Sequence, residues 1–484
     1  MKNTQIEDSL SAYKKYQENH IFHWNQIASK KDQWNLCNRY YHQRLREVLK
    51  FVVPPGQRVI EIGCGTGDLL AALQPSYGVG IDFSAEMIKQ ARERHPDLHF
   101  MQADAHELDI KEKFDFVILA DVVNALWDVQ AVLQRISQFT TPPSRIIINF
   151  YSRLWELPLG LARKSGLAKP MLLQNWLTVE DITGLLNLAD FEVIRHWEEI
   201  IWPVRTPVID SLMNRFIAKI WPFRIFALTH FMVAKPKASV TTTPELPKLS
   251  VVVPARNEAG NIERIMNSVP EMGAGTEILF VEGGSTDDTY NVIEKTIRNH
   301  PHRDAKLYRQ TGKGKGDAVR LGFQHAQGDI LMILDADLTV PPEDLPRFYE
   351  ALWSGKGEFV NGVRLVYPME KEAMRFFNLL GNKFFSLVFS WLLGQPIKDT
   401  LCGTKVLWKK DYEKIAANRS YFGDFDPFGD FDLLFGAAKL NLKIVEIPIR
   451  YRERTYGETN ISRWKHGWLL LRMVAFALRR IKFI

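Results

Sequence analysis

A largely apolar segment that ends in two closely spaced carboxylates constrains this sequence most strongly. The segment Gly328-Asp-Ile-Leu-Met-Ile-Leu-Asp335 is suited to a buried strand, and Asp337 follows Asp335 after a single residue. Side chains two residues apart on a strand share one face, so both carboxylates are expected to reach the same divalent cation. The remaining ligands of such a cation are commonly water and phosphate oxygens, which predicts a diphosphate site.

Three further motifs precede this acid pair. Leu249–Glu258 reads as a strand that runs into a polar turn, and Ile278–Thr289 as a second strand that ends in an acid, Glu282. Between these and the acid pair lies the glycine-rich basic segment Gly312–Ala318. Acids at strand ends together with a basic glycine loop predict a nucleotide at the carboxyl edge of an open α/β sheet.

Residues 249 to about 460 resemble a family 2 glycosyltransferase of the GT-A fold, of the polyprenyl-phosphate sugar transferase type that includes dolichol-phosphate mannose synthase. The matching pieces are Pro254–Glu258, Glu282–Thr289, Gly316–Ala318, Asp335–Asp337, Pro341–Asp344 and Arg454–Gly457. The resemblance implies that Asp335 and Asp337 hold Mg²⁺ or Mn²⁺ on the diphosphate of a nucleotide-sugar. It also implies a nucleoside site lined by Pro254, Ala255, Arg256, Glu258 and Glu282.

Two features of this half qualify the resemblance. Lys313 and Lys315 are expected to assist at the diphosphate, with a solvated loop as the alternative. Family members usually carry two successive acids where this chain has Glu282-Gly283, so the nucleoside contact and the identity of the base stay open.

The acceptor side is also implied by resemblance. Asp399–Lys405 resembles the acceptor-loop motif of lipid-phosphate transferases, with Lys405 where arginine is common, and Arg454 is the second expected phosphate ligand. A lysine still meets phosphate as a point charge, although it lacks the bidentate fork. If the acceptor is a hydroxyl, we expect Asp430 or Asp432 to act as general base. If it is an anionic lipid phosphate, these acids would instead position Lys405 or Arg454.

The first half contains a strand, a glycine turn and a helix in Arg58–Leu73. Gly67 follows Gly65 by two residues, whereas the dinucleotide fingerprint places its third glycine three residues after the second. An acid inside the strand, Glu61, favours a cationic ligand over a pyrophosphate. The following strands end in Asp82 and Asp104.

These features resemble the class I S-adenosylmethionine-dependent methyltransferases over about residues 40 to 200. The resemblance implies that Glu61, Gly63, Gly65 and Gly67 cradle the amino-acid end of the cofactor, Asp82 its ribose and Asp104 its base. Methyl transfer chiefly requires alignment of an acceptor, and a hydroxyl acceptor would also need a base. The candidates at the strand ends, each equally explained as a turn residue, are Asp121, Asn124, Asn149 and Tyr151. His106 and His196 are interpreted as ordinary surface or core histidines.

Length and composition set the remaining bounds. A chain of 484 residues exceeds one ordinary core, and 46% hydrophobic with 24% charged residues is typical of a folded protein. The three scattered cysteines form no disulfide framework or zinc spacing, which predicts a reducing cytoplasm. The net charge of +6 suits phosphate-bearing ligands, an anionic membrane or simply a solvated surface. Nucleic acid is not an expected partner, and the oligomeric state stays open.

Membrane association is expected to be peripheral. No signal peptide and no stretch of 18 uncharged apolar residues occurs, so no spanning helix is expected. Lys371–Leu393 and Trp468–Phe483 read as amphipathic helices that suit anionic lipid, with burial in a core or dimer as the alternative. In the first of these, the predicted polar stripe comprises Lys371, Arg375, Asn378, Asn382, Ser386 and Ser390; in the second, the spaced bases are Lys465, Arg472 and Arg479. Residues 200–230 mix aromatic and basic residues, which fits either lipid headgroups or packing between domains.

The sequence therefore predicts an α/β chain with two domains. Residues 1–234 form a Rossmann-like, seven-stranded methyltransferase domain with an N-terminal helical cap, 235–248 a linker, and 249–484 a GT-A nucleotide-sugar transferase domain with amphipathic interface helices. The expected protein is a bifunctional, inverting, metal-dependent sugar transferase and methyltransferase on the cytoplasmic face of a membrane. The alternatives for the second half are a sugar-phosphate nucleotidyltransferase and a module that binds nucleotide-sugar or anchors the methyltransferase.

Overall fold

Two seven-stranded sheets organise the chain, one in each of two units. The computed structural model describes residues 2–29, 31–166, 170–238, 245–364, 366, 376–421, 429–452, 454, 456 and 463–483. The first unit comprises Met1–Lys237 with Phe483–Ile484, and the second comprises Ala238–Lys482. Each is described here by itself.

The sheet of the first unit is mostly parallel. Its strands are β1 (Arg58–Ile62), β2 (Tyr77–Asp82), β3 (His99–Gln102), β4 (Phe116–Ala120), β5 (Arg145–Tyr151), β6 (Phe191–Glu199) and β7 (Thr229–Pro236). They lie in the order β3-β2-β1-β4-β5-β7-β6, and only β7 runs antiparallel to its neighbours. The central strands β1, β4 and β5 are rich in Ile and Val because both of their faces are buried.

Helices cover both faces of this sheet. They are α1 (Lys2–Ser29), α2 (Lys31–Val52), α3 (Asp68–Ala72), α4 (Ala85–Arg94), α5 (Val129–Ser137), α6 (Glu156–Lys164), α7 (Val179–Leu188) and the single turn α8 (Ile209–Ser211). A capping box begins α7, in which Thr178 and Asp181 exchange side-chain and backbone hydrogen bonds. The predicted linker begins too early, since β7 continues to Pro236 and Lys235 pairs with Glu192 at 3.8 Å. Linker residues 239–244 lie outside the described residues.

The second unit repeats the layered plan with a different strand order. Its strands are β8 (Leu249–Ala255), β9 (Thr276–Glu282), β10 (Ala305–Arg309), β11 (Ile330–Ile333), β12 (Phe359–Val363), β13 (Lys405–Trp408) and β14 (Ile444–Pro448). The order is β10-β9-β8-β11-β13-β12-β14, with β13 antiparallel to β11 and β12. The helices are α9 (Ile262–Ser268), α10 (Thr289–Asn299), α11 (Lys315–His325), α12 (Leu345–Trp353), α13 (Phe376–Leu393), α14 (Lys409–Ala417), α15 (Asp430–Lys439) and α16 (Arg463–Ala477). The predicted α/β fold class is confirmed for both halves.

Helix α13 buries one face in the core of the second unit. Phe385, Phe389 and Leu392 are buried there. Ser386 and Ser390, predicted to lie on a polar stripe, both donate hydrogen bonds to the Ile397 carbonyl, at 2.6 and 3.0 Å. The two serines thus share one face of the helix, as predicted, but that face contacts a loop carbonyl of the same unit. Of the remaining positions, the side chains of Lys371, Arg375 and Asn378 lie outside the described residues.

Helix α16 divides its surface in the same way. Leu470, Met473 and Ala477 are buried, whereas Trp468 and Leu471 are exposed, as are Phe384 and Leu387 on α13. Arg472 and Arg479 are exposed as predicted, and the Lys465 side chain lies outside the described residues. Burial in the core, the alternative interpretation of these helices, is thus correct for one face of each. No helix in the described part of the chain has the length and apolarity needed to cross a membrane.

Candidate active sites

Three strand ends meet at one edge of the second sheet. Strand β8 pairs in parallel with both β9 and β11, with Ala255 opposite Glu282. Beyond β11, the Leu334 amide donates to the Val252 carbonyl at 3.0 Å. Parallel strands end at the same edge of a sheet, so the predicted nucleoside-side residues Pro254–Arg256 and Glu282 lie at the same edge as Asp335.

The acid pair lies in a turn rather than in a strand. Strand β11 ends at Ile333, where its pairing with β8 stops. Leu338 has a φ of 55°, and its amide approaches the Asp335 carbonyl at 3.3 Å. The prediction that a strand places both carboxylates on one face was therefore wrong in its reason, because the ladder ends before the acids begin.

Each carboxylate of the pair has a cationic partner. Asp335 Oδ1 lies 2.6 Å from Lys315 Nζ, and Asp337 Oδ2 accepts a hydrogen bond from Arg454 Nη2 at 2.8 Å. The backbone amide and hydroxyl of Thr339 donate to Asp337 Oδ1 at 3.1 and 2.8 Å. Burial opposes ionisation of Asp335, but the Lys315 ammonium holds the pKa of that carboxyl below its ordinary value.

Arg454 also reaches a third acid. Its Nη1 donates to Glu258 Oε1 at 3.0 Å, so one guanidinium joins Glu258 to Asp337. Asn261 Nδ2 donates to the other Glu258 oxygen at 2.8 Å. Burial nevertheless raises the pKa of Glu258 to about 7, because these partners only partly offset the loss of solvent.

Gly403 closes against the Lys315–Asp335 pair. A Cβ atom at this position would lie 2.0 Å from Asp335 Oδ2 and 2.3 Å from Lys315 Nζ. A side chain at this point of the Asp399–Lys405 motif would therefore displace Lys315 or Asp335. The sequence analysis did not predict a role for Gly403. Its position inside the Asp399–Lys405 motif could have indicated one.

The amide of Gln310 lies beside Gly283, where the family usually has a second acid. A Cβ at residue 283 would lie 3.0 Å from Gln310 Oε1. Gln310 Nε2 donates to the Gly314 carbonyl at 2.8 Å and to Asp317 Oδ2 at 3.0 Å, which ties it to the glycine-rich loop. Glu282 itself is buried and accepts a 2.5 Å hydrogen bond from the Ser285 amide.

The acceptor-loop motif is anchored in the interior. Arg364 forms a two-pronged pair with Asp399, at 2.7 and 2.8 Å. Lys405 is fully buried and donates to the Cys402 carbonyl at 2.5 Å. This placement does not support the predicted direct contact of Lys405 with a lipid phosphate, although the charge of Lys405 helps to lower the pKa of Asp335.

The two candidate bases differ in their surroundings. Asp432 is buried and accepts a 2.8 Å hydrogen bond from Arg419 Nε, a cationic partner that was not predicted. The Asp430 side chain lies outside the described residues, but α15 begins at Asp430. A Cβ at the preceding Gly429 would lie 2.5 Å from Gly316 Cα, so the start of α15 touches the start of α11 beside Lys315.

The donor set beyond β11 fits a hard divalent cation. Asp335 and Asp337 supply carboxylate oxygens, which Mg²⁺ sites combine with substrate phosphates and water. In the described ranges no group of three or more Asp, Glu, His or Cys side chains gathers into a metal site. A cation here would thus complete its coordination with phosphate oxygens of a bound substrate and with water.

The glycine turn of the first unit follows β1. The Gly63 amide donates to the Ile81 carbonyl at 2.7 Å, and Gly63 has a φ of 76°. A Cβ at Gly67, which has a φ of 73°, would lie 2.6 Å from the Phe100 ring. The Gly65 amide donates to Asp82 Oδ2 at 3.0 Å. This turn brings the ends of β1 and β2 together.

Glu61 is the clearest sign of a cationic ligand in this unit. The side chain is buried, and its Oε2 has no hydrogen-bond partner in the described structure. Burial raises the pKa of this carboxyl well above its ordinary value. A buried carboxyl oxygen without a partner beside a glycine turn fits the cationic amino-acid end of the predicted cofactor.

Helix α1 covers the remaining cofactor residues. Asp104 Oδ2 accepts hydrogen bonds from Tyr13 Oη at 3.0 Å and from Gln17 Nε2 at 2.7 Å. His106 binds the other oxygen through its amide and through Nδ1, at 2.9 and 2.7 Å. His106 was interpreted as an ordinary histidine, and the structure places it in the candidate site instead. Its sequence signal was its position two residues after Asp104.

A cavity of about 240 Å³ lies beneath α1. Gly63, Asp82 and Asp104 line it from the sheet, and Tyr16 and His20 line it from α1. Helix α1, which was predicted only as an N-terminal cap, covers this cavity. Its contacts span more than 60 residues of sequence and therefore leave no local pattern.

The residues predicted as candidates for the base beside the methyl acceptor are held by buried hydrogen bonds. Tyr41 Oη donates to Asp121 Oδ1 at 2.5 Å, and the Asp121 amide donates to Asn149 Oδ1 at 2.8 Å. Asn124 accepts from the Tyr151 amide at 3.0 Å and donates to the Asn175 carbonyl at 2.7 Å. These bonds tie Asn124 and Asn149 to the backbone, which favours a structural role for both residues.

Both halves match known protein families. Residues 250–415 match the family model described as Glycosyl transferase family 2, and residues 54–190 match the model described as Methyltransferase domain. The dolichol-phosphate mannosyltransferase of Pyrococcus furiosus is 30% identical over 221 residues, 44% of this chain and 59% of that protein. An undecaprenyl-phosphate 4-deoxy-4-formamido-L-arabinose transferase of Klebsiella pneumoniae is 25% identical, over 46% of this chain and 64% of that protein. The matches thus span about three-fifths of these relatives.

Part of the chain is similar to a solved structure. A methyltransferase of Thermotoga maritima, described as SAM-dependent and possibly a histamine N-methyltransferase, is 18% identical with a TM-score of 0.36. The match covers 45% of this chain and 98% of that chain.

Replacing Gly403 with Ala should disturb the Lys315–Asp335 pair. The added methyl group overlaps both charged groups, so one must move, and overpacking of this kind costs about 1–3 kcal/mol. Thermal unfolding of the second unit measures the loss. Gly381→Ala on α13 is the matched control, since nothing lies within 4 Å of a Cβ there. Equal midpoints for the two variants would contradict the packing described here.

Glu258 should make the stability of the second unit depend on pH. Its pKa is about 7 in the folded protein against 4.5 for an ordinary Glu, so its stabilising contribution is complete below about pH 4.5 and is lost as pH rises through 7. Relative to Glu258→Gln, the wild type should lose about 1–3 kcal/mol across that window, measured by urea unfolding. Glu350→Gln, at an exposed position, is the control. A wild-type curve parallel to that of Glu258→Gln would refute the shift.

Proposed function

Because the chain joins a methyltransferase domain to a family 2 glycosyltransferase domain, we propose that it is a bifunctional enzyme whose second unit transfers a sugar from a nucleotide-sugar to a polyprenyl phosphate. The observation that carries the proposal is the pairing of Lys315 with Asp335 and of Arg454 with Asp337. Nucleotides bind at this edge of open α/β sheets. The similar proteins, which include a dolichol-phosphate mannosyltransferase and an undecaprenyl-phosphate sugar transferase, support a lipid-phosphate acceptor.

The proposed transfer is a single displacement with inversion. An oxygen of the acceptor phosphate attacks the anomeric carbon as the bond to the departing nucleoside diphosphate breaks, and the leaving group takes the electron pair. An anionic phosphate needs no general base, which agrees with the engagement of Asp432 by Arg419. If the acceptor were a glycan hydroxyl, Asp430 at the start of α15 would be the candidate base.

Stabilisation of the leaving diphosphate is then the main catalytic requirement. Lys315 and Arg454 supply positive charge at the carboxyl edge, and Arg454 also remains a candidate ligand of the acceptor phosphate. Asp335 and Asp337 would hold Mg²⁺ or Mn²⁺, which as a Lewis acid neutralises charge on the diphosphate. Pro254, Ala255, Arg256, Glu258 and Glu282 are proposed to line the nucleoside. Buried Lys405 is proposed to act through its charge on Asp335.

The first unit is proposed to methylate a small molecule or glycan linked to the same product. The buried Glu61 carboxyl, the glycine turn and the cavity beneath α1 support an S-adenosylmethionine site. This group supplies an activated methyl when bound. The chain's own residues would orient it, with Glu61 at the amino-acid end, Asp82 at the ribose and the Asp104–His106 pair beside the base.

We further propose that the protein works peripherally on the cytoplasmic face of a membrane. A polyprenyl-phosphate acceptor resides in a bilayer, so its transferase must reach the lipid surface. The exposed apolar side chains of the two amphipathic helices, Phe384 and Leu387 on α13 and Trp468 and Leu471 on α16, support such contact.

Sugar transfer should depend on Asp335. We expect the wild-type chain to form a sugar lipid from C55 polyprenyl phosphate and at least one member of a UDP-, GDP- and CDP-sugar panel with Mg²⁺ or Mn²⁺, read by mass spectrometry. Asp335→Asn should lower the rate by about 100-fold or more, since charge stabilisation is lost. Asp304→Asn, just before β10 at the opposite edge, should retain activity. Equal rates for the two variants, or no product with any donor, would refute the proposal.

Cofactor binding should depend on Asp82. Asp82→Ala should weaken S-adenosylmethionine binding by roughly tenfold or more in calorimetry, because the proposed ribose contact and the bond from the Gly65 amide are both lost. Asp97→Ala, at an exposed turn on the same unit, is the control and should bind normally. Undiminished binding by Asp82→Ala would remove Asp82 from the proposed site.

A further inference from the structure

The segment from Trp202 to Phe226 has its polar and apolar residues in the reverse of the usual places. Three of its polar residues, Asp210, Asn214 and Lys219, are buried. Val208 is 79% exposed, Trp221 71% and Phe226 60%. Scattered exposed apolar side chains are ordinary on protein surfaces, but a continuous stretch of them indicates a surface that binds another molecule or a membrane.

The buried polar residues fasten the segment to the first unit. Asn214 Oδ1 accepts hydrogen bonds from the amides of Ile201 and Trp202, both at 2.8 Å, and its Nδ2 donates to the Trp202 carbonyl at 2.7 Å. Lys219 forms a buried ion pair with Glu199 at the end of β6. The apolar side chains thus face outward because the polar ones are held inward, and not because the segment is loose.

A neighbouring helix extends the apolar surface. Trp155, directly before α6, donates its indole N–H to the Phe226 carbonyl at 2.9 Å. On α6, Leu157 is 80% and Leu161 69% exposed, and residues four apart lie on the same helix face. We call the exposed side chains of Leu157, Leu161, Val208, Trp221, Ile225 and Phe226 the outer apolar surface.

The exposed charges within the 200–228 segment have one sign, although the outer apolar surface also borders the exposed acid Glu156 at the start of α6. Between residues 200 and 228 the bases are Arg205, Arg215, Lys219 and Arg224, and the single acid, Asp210, is buried. Arg205 and Arg215 are exposed beside the aromatic side chains. Bases interleaved with tryptophan and phenylalanine match the interfacial zone of an anionic bilayer, where apolar tips enter the acyl region and bases meet phosphate.

We infer that the first unit docks on anionic lipid membranes through the outer apolar surface. The residues of this surface all belong to the first unit, and the inference does not depend on which reaction either unit catalyses. The methyltransferase unit would thereby have its own contact with the bilayer.

A fluorescent label at residue 221 tests the inference in the full chain. The dye NBD is attached to Trp221→Cys in a chain that carries Cys37→Ser, since Cys64 and Cys402 are buried. The label should shift to the blue on vesicles of 70% phosphatidylcholine and 30% phosphatidylglycerol, and less on phosphatidylcholine alone. Val208→Cys is a second labelling site should the first variant fold poorly. Leu188→Cys, an exposed apolar position on α7, is the control and should not shift.

Charge reversal tests whether this surface, rather than nonspecific adhesion, binds the membrane. Arg205→Glu with Arg224→Glu should weaken partitioning of the labelled protein onto vesicles by roughly tenfold or more, as read from the shift of the label. Lys111→Glu with Arg135→Glu, elsewhere on the same unit, should have a much smaller effect. A label at 221 that is already blue-shifted without vesicles would show that the chain itself or a second copy covers the surface, and would overturn the inference. So would an absent shift, an equal shift at 188, or indifference to the first charge reversal.

Discussion

The ion pairs of Arg454 hold the second candidate active site together. The arginine follows β14 and reaches Glu258, which follows β8, and Asp337, which follows β11. Without a cation between them, these carboxylates would repel each other, and a partly desolvated acid such as Glu258 would be still less favourable. One guanidinium thereby sets both the geometry and the charge of the edge at which a diphosphate would bind.

The two units place different charges at the carboxyl edge of their sheets. In the second unit, carboxylates are paired with Lys315 and Arg454, which leaves cationic groups beside the place of an anionic ligand. In the first, Glu61 is buried with an oxygen that has no described partner, which favours a cationic ligand. The proposed assignment of a nucleoside diphosphate to one edge and of a sulfonium cofactor to the other rests on this difference, since cationic side chains line the first edge and a buried carboxyl lies at the second.

Much of this was predictable from local patterns. Strand and helix order, the glycine turn at Gly63–Gly67 and the acids at strand ends come from periodicity and spacing within short windows, and both folds agree with them. The error lies where distant segments decide. Asp335 and Asp337 were assigned to a strand, and the point at which strand pairing ends depends on the partner strand β8. The loop carbonyl at Ile397 that binds Ser386 could not be read from local pattern either.

The sequence by itself determined the two α/β domains and the residues that gather at each carboxyl edge, since parallel strands end together whatever their neighbours. Only the tertiary structure decided the partners: Gln310 beside Gly283, Gly403 against Asp335, and the α1 residue Gln17 on Asp104. It also decided that polar residues of the 202–226 segment point inward. These contacts join residues that are mostly tens of positions apart, and whether two such side chains meet depends on packing, which local spacing does not encode.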